Sequence, residues 1–156
     1  MNPRRGRGQH SLSLYRSRIK INHYMMNDKK TILVVEDERP LAEAIRLKLE
    51  KEGMNVAVAR TVEQALGYLG DLKRVDGIWL DHYLLGTENG LDFVVRVKAK
   101  DSAWVNIPIF VVSNTATADK VQSYLRLGVN KYYVKAEYRL DEIIAEIKRV
   151  LVSDVD

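Results

Sequence analysis

A chain of 156 residues suits one domain with one sizeable core and leaves no room for a second of similar size. Hydrophobic residues make up 46% and charged residues 29%, which excludes disordered and collagenous classes. No apolar run approaches the roughly 18 residues of a membrane span. There is no cysteine, which removes disulfides, thiolate zinc sites and cysteine nucleophiles from consideration and suits a reducing, cytoplasmic setting.

The net charge of +4 is unevenly spread. Residues 1–27 carry Arg4, Arg5, Arg7, Arg16, Arg18 and Lys20 and no acidic residue, while the other 129 residues hold 19 basic and 21 acidic groups, a net of −2. The first 27 residues therefore read as a basic, disordered N-terminal extension. An organelle transit peptide or a basic arm for nucleic acid or anionic lipid are the alternatives for this stretch. The folded domain is placed at 28–156.

From Thr31 onward short β-branched runs alternate with amphipathic stretches. Thr31–Val35 (TILVV) is continuously apolar, as a strand covered on both faces should be. Pro40 suits a first helical turn, and Leu41, Ala44, Ile45 and Leu49 follow at helical spacing up to Gly53. Val56–Ala59 is a weaker strand, and Thr61 with Gln64 forms a capping box for a helix carrying Ala65, Leu66 and Leu69. Val75–Leu80 is a third strand, and Leu91, Val94 and Val95 mark a third helix. Ile107–Val112 is a fourth strand with Pro108 near its start. Ala118, Val121 and Leu125 mark a helix ending at Gly128. Tyr132–Val134 is a fifth strand, and Leu140, Ile143, Ile144, Ile147 and Leu151 form the stripe of the last helix. Five βα units in this order predict an α/β fold, a five-stranded parallel sheet with helices on both faces.

In open parallel sheets the functional crevice lies beyond the carboxyl ends of the strands. The first strand ends in Glu36, Asp37 and Glu38, the third in Asp81, the fourth in Ser113 and the fifth in Lys135, while Ala59 and Arg60 end the second with no comparable group. Converging carboxylates repel unless a cation is present, and all-oxygen ligation favours a hard ion such as Mg²⁺. Asp37 and Asp81 are the expected direct ligands, Glu36 a ligand directly or through water, and the Tyr83 backbone carbonyl completes the set. Lys135 adds fixed positive charge and Ser113 a hydroxyl donor. Together they suit a phosphoryl group received on Asp81 as an aspartyl phosphate.

With these residues in view, the chain resembles the receiver domain of two-component response regulators, of the stand-alone, single-domain type. The resemblance rests on VVED (Val34–Asp37), IWLD (Ile78–Asp81), VVSN (Val111–Asn114) and YYVKA (Tyr132–Ala136), spans roughly Lys30 to Val152, and includes separations of 44 residues from Asp37 to Asp81 and 22 from Ser113 to Lys135. It implies a flavodoxin-like (βα)5 fold with strand order 2-1-3-4-5. Glu36 and Asp37 would be the acidic pair for Mg²⁺ and Asp81 the phosphoacceptor. Ser113 and Lys135 would contact the phosphoryl group, and Ser113 and Tyr132 would be the switch pair. The implied partners are a sensor histidine kinase or histidine phosphotransfer protein as donor, and a downstream protein that reads the surface around the fourth helix, fifth strand and fifth helix. The implied role is a signalling switch with self-catalysed phosphotransfer and dephosphorylation only, not an enzyme.

After the last helix only Ser153–Asp156 remain, too little for a DNA-binding or enzymatic output domain. A non-phosphorylated receiver-like interaction module, and a receiver excised from a hybrid kinase or larger regulator, are the alternative readings. A dehalogenase-type phosphatase would need a second Asp where Tyr83 stands, and neither a P-loop nor a GxGxxG motif is present. Three departures from the family pattern stand out. Ala136 follows Lys135 where proline after a cis bond is usual; a cis bond before alanine costs about 2.5 to 4 kcal/mol, so trans is expected. The loop after Asp81 (HYLLGTENG) lacks the usual proline and is longer by about one residue. Glu36 replaces the commoner Asp. Tyr83 is placed to shield the phosphoryl group from water, His82 reads as an exposed loop residue, and Trp79, two residues from Asp81, reads as core.

Overall fold

The computed structural model describes residues 28–153; the basic extension expected at 1–27 lies outside them. Five strands, β1 (Thr31–Val35), β2 (Asn55–Ala59), β3 (Gly77–Leu80), β4 (Ile109–Ser113) and β5 (Lys131–Val134), alternate with five helices. These are α1 (Arg39–Lys51), α2 (Val62–Asp71), α3 (Gly90–Val97), α4 (Ala118–Leu127) and α5 (Leu140–Ser153). The sheet is parallel throughout with order β2-β1-β3-β4-β5. The expected architecture and strand order are both present.

Side chains that alternate along a strand go to opposite faces, and β1 divides its residues accordingly. Leu33 and Val35 pack with Leu69, Phe93 and Tyr124 beneath α2, α3 and α4. Ile32 and Val34 pack with Ile45, Leu49, Trp79, Tyr133 and Ile147 beneath α1 and α5. Both faces of the strand are covered, which is why it reads as an unbroken apolar run.

Local chemistry sets the boundaries. Pro40 stands in the first turn of α1, where its missing N–H costs nothing. Thr61 caps α2 by accepting from the Gln64 amide. Gln64 returns its own acceptor to the Arg60 N–H, one residue before the cap, so the capping box is displaced by one position. Asn89 and Asp92 cap α3 reciprocally, a box the sequence reading did not pick out. Gly128 ends α4 in the left-handed conformation with φ 97°, which glycine adopts without strain.

Three local expectations change. β3 begins at Gly77 rather than Val75, because the Asp76 carboxylate accepts from Thr31 N–H and Arg74 Nε instead of presenting a strand side chain. β4 begins at Ile109, immediately after Pro108, whose carbonyl still accepts from Ile78. On α4 the buried anchor is Tyr124; Leu125 is exposed, as is Val95 on α3. A helix face is narrow, and one residue's offset moves a side chain through about 100°.

Ile147 is fully buried at the centre of the α5 stripe. Truncating it to alanine is expected to cost about 2 to 5 kcal/mol, measured as a lowered urea midpoint with an unchanged m-value.

Candidate functional site

The carboxyl ends of β1, β3, β4 and β5 bring Glu36, Asp37, Asp81, Ser113 and Lys135 to one edge. Parallel pairing fixes this, since Val35 lies opposite Leu80, Leu80 opposite Val111, and Ser113 opposite Val134. The residue that follows β1, β3 and β5, and the last residue of β4, are thereby delivered to the same crevice. Backbone bonds extend the alignment past the strand ends: Asp81 N–H donates to Val35 O, Glu36 N–H to Ala59 O and Lys135 N–H to Ser113 O.

Glu36, Asp81 and Ser113 are buried, and Asp37 is half-buried. Glu36, Asp37 and Asp81 each place a carboxylate oxygen within 4.8 Å of the other two. Lys135 donates to Glu36 Oε2 at 3.1 Å and to Asp81 Oδ2 at 3.2 Å. Asp81 Oδ1 and Ser113 Oγ are buried and have no hydrogen-bond partner. Such atoms are costly to leave unpaired, and both lie at this one edge.

The electrostatics follow from this crowding. Burial, then the Asp81 charge, pushes the Glu36 carboxyl up to about 7, although Lys135 pulls the other way. For Lys135 burial works against the charge, but Asp81 and Glu36 outweigh it and its pKa lies above the ordinary lysine value. The donor set of clustered carboxylates with an unpaired buried oxygen fits a small hard cation, whose ligand oxygens sit about 3 to 4 Å apart at octahedral bond lengths near 2.1 Å.

Arg60, passed over in the sequence as lacking a comparable role, contributes from the end of β2. Its Nε and Nη2 donate to the Asp37 carbonyl at 3.2 and 2.9 Å, fastening the acidic loop. A basic residue at a strand end beside an acidic loop was the available signal. The peptide bond before Ala136 is trans, there being no cis bond among the described residues.

The loop after Asp81 differs from expectation at His82. It is buried, with Nδ1 2.6 Å from the Tyr124 hydroxyl on α4. Burial, aided by the Lys120 charge, lowers its pKa, and burial raises that of Tyr124, so a neutral ring meets a protonated hydroxyl. The imidazole, edge-on to the rings of Tyr83 and Tyr124, is accommodated in the interior because that hydroxyl satisfies it. Tyr83 is 55% exposed, and its hydroxyl accepts from Lys120 Nζ at 3.2 Å. The same ammonium lies 4.8 Å from the Tyr83 ring centroid and donates to Thr115 Oγ1. Tyr132 is half-buried and its hydroxyl donates to the Thr115 carbonyl.

Residues 32–148 match the response regulator receiver domain model. This chain belongs to the response regulator receiver domain family. Among curated relatives, the phosphate regulon transcriptional regulatory protein PhoB of Pseudomonas aeruginosa is 34% identical over 78% of this chain and 52% of its own length. The sensory transduction protein RegX3 of Mycobacterium tuberculosis is 35% identical over 78% of this chain and 50% of its own length. The receiver thus spans about half the length of these relatives. Among solved structures, a response regulator receiver protein from Pseudomonas putida superposes with a TM-score of 0.72 at 26% identity, covering 78% of this chain and 97% of that one. The receiver is a domain of two-component signalling, and no helix among its described residues is long and apolar enough to cross a membrane.

The raised Glu36 value has a defined consequence for stability. An acid whose folded pKa exceeds its unfolded value stabilises the fold while protonated; that contribution is complete below pH 4.5 and is lost as pH rises to about 7. In metal-free protein, Glu36→Gln is expected to flatten the pH dependence of the urea midpoint across that window, by at most about 1.4 kcal/mol per pH unit. Parallel slopes in both proteins count against the assignment.

Proposed function

We propose that this receiver is a phosphorylation switch whose acceptor is Asp81, with Mg²⁺ as its cofactor. The supporting observation is the pair of buried, unpartnered atoms at the ends of neighbouring strands, Asp81 Oδ1 and Ser113 Oγ, beside the Lys135 ammonium. Glu36, Asp37, Asp81 and the Tyr83 backbone carbonyl would hold the ion. When bound, the ion supplies positive charge that offsets the anionic oxygens of the arriving phosphoryl group.

A carboxylate oxygen of Asp81 attacks the phosphorus of a phosphohistidine on a sensor kinase or phosphotransfer protein. An acyl O–P bond forms, the P–N bond breaks, and its electron pair leaves with the imidazole. Lys135 exchanges its carboxylate contact for a phosphoryl oxygen, and Ser113 donates to another. Water attack at phosphorus later returns the carboxylate and releases phosphate.

Ser113 stands at the start of the loop that carries Thr115, and Tyr132 on β5 donates its hydroxyl to the Thr115 carbonyl. Drawing Ser113 toward the phosphoryl group shifts that loop and, with it, the surface of α4, β5 and α5 that a downstream protein would read. This is a two-state equilibrium biased by one new charge. The receiver acts as a signal carrier in the cytoplasm, either alone or as part of a larger regulator.

Intact mass after incubation with Mg²⁺ and acetyl phosphate is expected to show one phosphoryl adduct in the wild type and none in Asp81→Asn or without Mg²⁺. No adduct from either acetyl phosphate or a phosphohistidine donor would favour a non-phosphorylated interaction module. Tyr83→Ala is expected to shorten the half-life of the adduct severalfold; an equal or longer half-life would remove Tyr83 as a shield.

A further inference from the structure

His82 follows Asp81 directly, yet its side chain turns inward to α4, a helix three elements further along the chain. Its Nδ1 meets the hydroxyl of Tyr124, a fully buried residue of α4, at 2.6 Å. The start of α3 is pressed against the same point. A β-carbon at Gly90 would lie 2.6 Å from the Asp81 carbonyl oxygen, 2.7 Å from the Tyr124 hydroxyl and 3.1 Å from His82 Cα. Gly90 N–H also donates to the His82 carbonyl at 2.8 Å. These spacings leave the backbone at 81–82 no slack against α4.

Two further contacts reinforce the junction. Tyr83 reaches α4 independently through Lys120. The Tyr124 ring lies between those of His82 and Tyr132, 5.7 Å from each centroid. Tyr124 therefore touches both the residue after the acceptor and the aromatic member of the switch pair.

We propose that His82 and Tyr124 are positioning residues that couple the Asp81 loop to α4, a second route of transmission beside Ser113 and Tyr132. The proposal rests on Asp81 being the phosphoacceptor. A phosphoryl group on Asp81 displaces the strand end to accommodate new bulk and charge. Through the short His82–Tyr124 bond and the close packing at Gly90, that displacement reaches α4 without passing through the β4–α4 loop. Close-packed junctions of this kind transmit small shifts because they cannot deform gradually.

The test is amide hydrogen exchange by mass spectrometry on the full chain, wild type against Tyr124→Phe and His82→Leu, with and without Mg²⁺ and acetyl phosphate. Tyr124→Phe removes only the hydroxyl. Adduct formation is expected to match wild type in both variants, whereas the phosphorylation-induced change in exchange across 118–127 should fall by half or more. In the unmodified protein, exchange across 82–90 should quicken about three- to tenfold in Tyr124→Phe, the loss of one buried hydrogen bond. An α4 response equal to wild type in both variants overturns the proposal. Should the wild type take no adduct, the phosphoacceptor reading fails by itself, and the unmodified-state comparison still decides the coupling: unchanged exchange at 82–90 in Tyr124→Phe rules it out.

Discussion

Lys135 bridging Glu36 and Asp81 is the contact on which the receiver's active edge depends. One ammonium is shared between two buried carboxylates with Asp37 close beside them, and burying an ion pair brings little net stability even when the pair is well formed. The cluster is therefore a poor stabiliser and a good receptor. Its excess negative charge suits a cation, and only with that charge offset does the Lys135 ammonium become available to an oxyanion. The Glu36 carboxyl is displaced to about 7 first by its burial and then by the Asp81 charge, against the opposing pull of Lys135.

The rest of the molecule secures that arrangement. Sheet pairing brings four strand ends level, and the two apolar layers hold the sheet from both sides. Arg60 fixes the acidic loop through the Asp37 carbonyl, a contact that spends a guanidinium on backbone rather than on carboxylate. The two sides of the sheet also divide the labour. Both layers admit polar aromatic groups, Trp79 and Tyr133 under α1 and α5 and Tyr124 on the side of α4, and it is on the α4 side that the loop from Asp81 makes its contacts.

How much of this was legible in the sequence depended on the range of the determining interaction. Strand runs, strand order through the resemblance, and the convergence of Glu36, Asp37, Asp81, Ser113 and Lys135 all follow from pattern and register, which are short-range or set by topology. His82 was misread because a polar residue in a loop is ordinarily exposed, and its burial depends on a hydroxyl 42 positions away. Tyr124 was the other half of the same error. The α4 stripe was read from Val121 and Leu125, yet the position three residues after Val121 carries the buried ring. Its amphipathic chemistry gave no warning that it would be the core member. The role of Arg60 was hidden for a similar reason, since its partner is a backbone carbonyl that no side-chain pattern records.

Position 90 has a consequence for how this chain varies over time. While Tyr124 keeps its hydroxyl against the turn, glycine is the sole residue that position 90 tolerates, because any β-carbon would collide with that oxygen and with the Asp81 carbonyl. Replacing Tyr124 with a small residue removes the collision with the hydroxyl, leaves a void, and orphans the His82 ring. Glycine at 90 stays required even then, because the Asp81 carbonyl is backbone and stands in the way whatever residue occupies 124; His82 and Tyr124, tied to each other by one bond, are the pair that lineages are expected to change together.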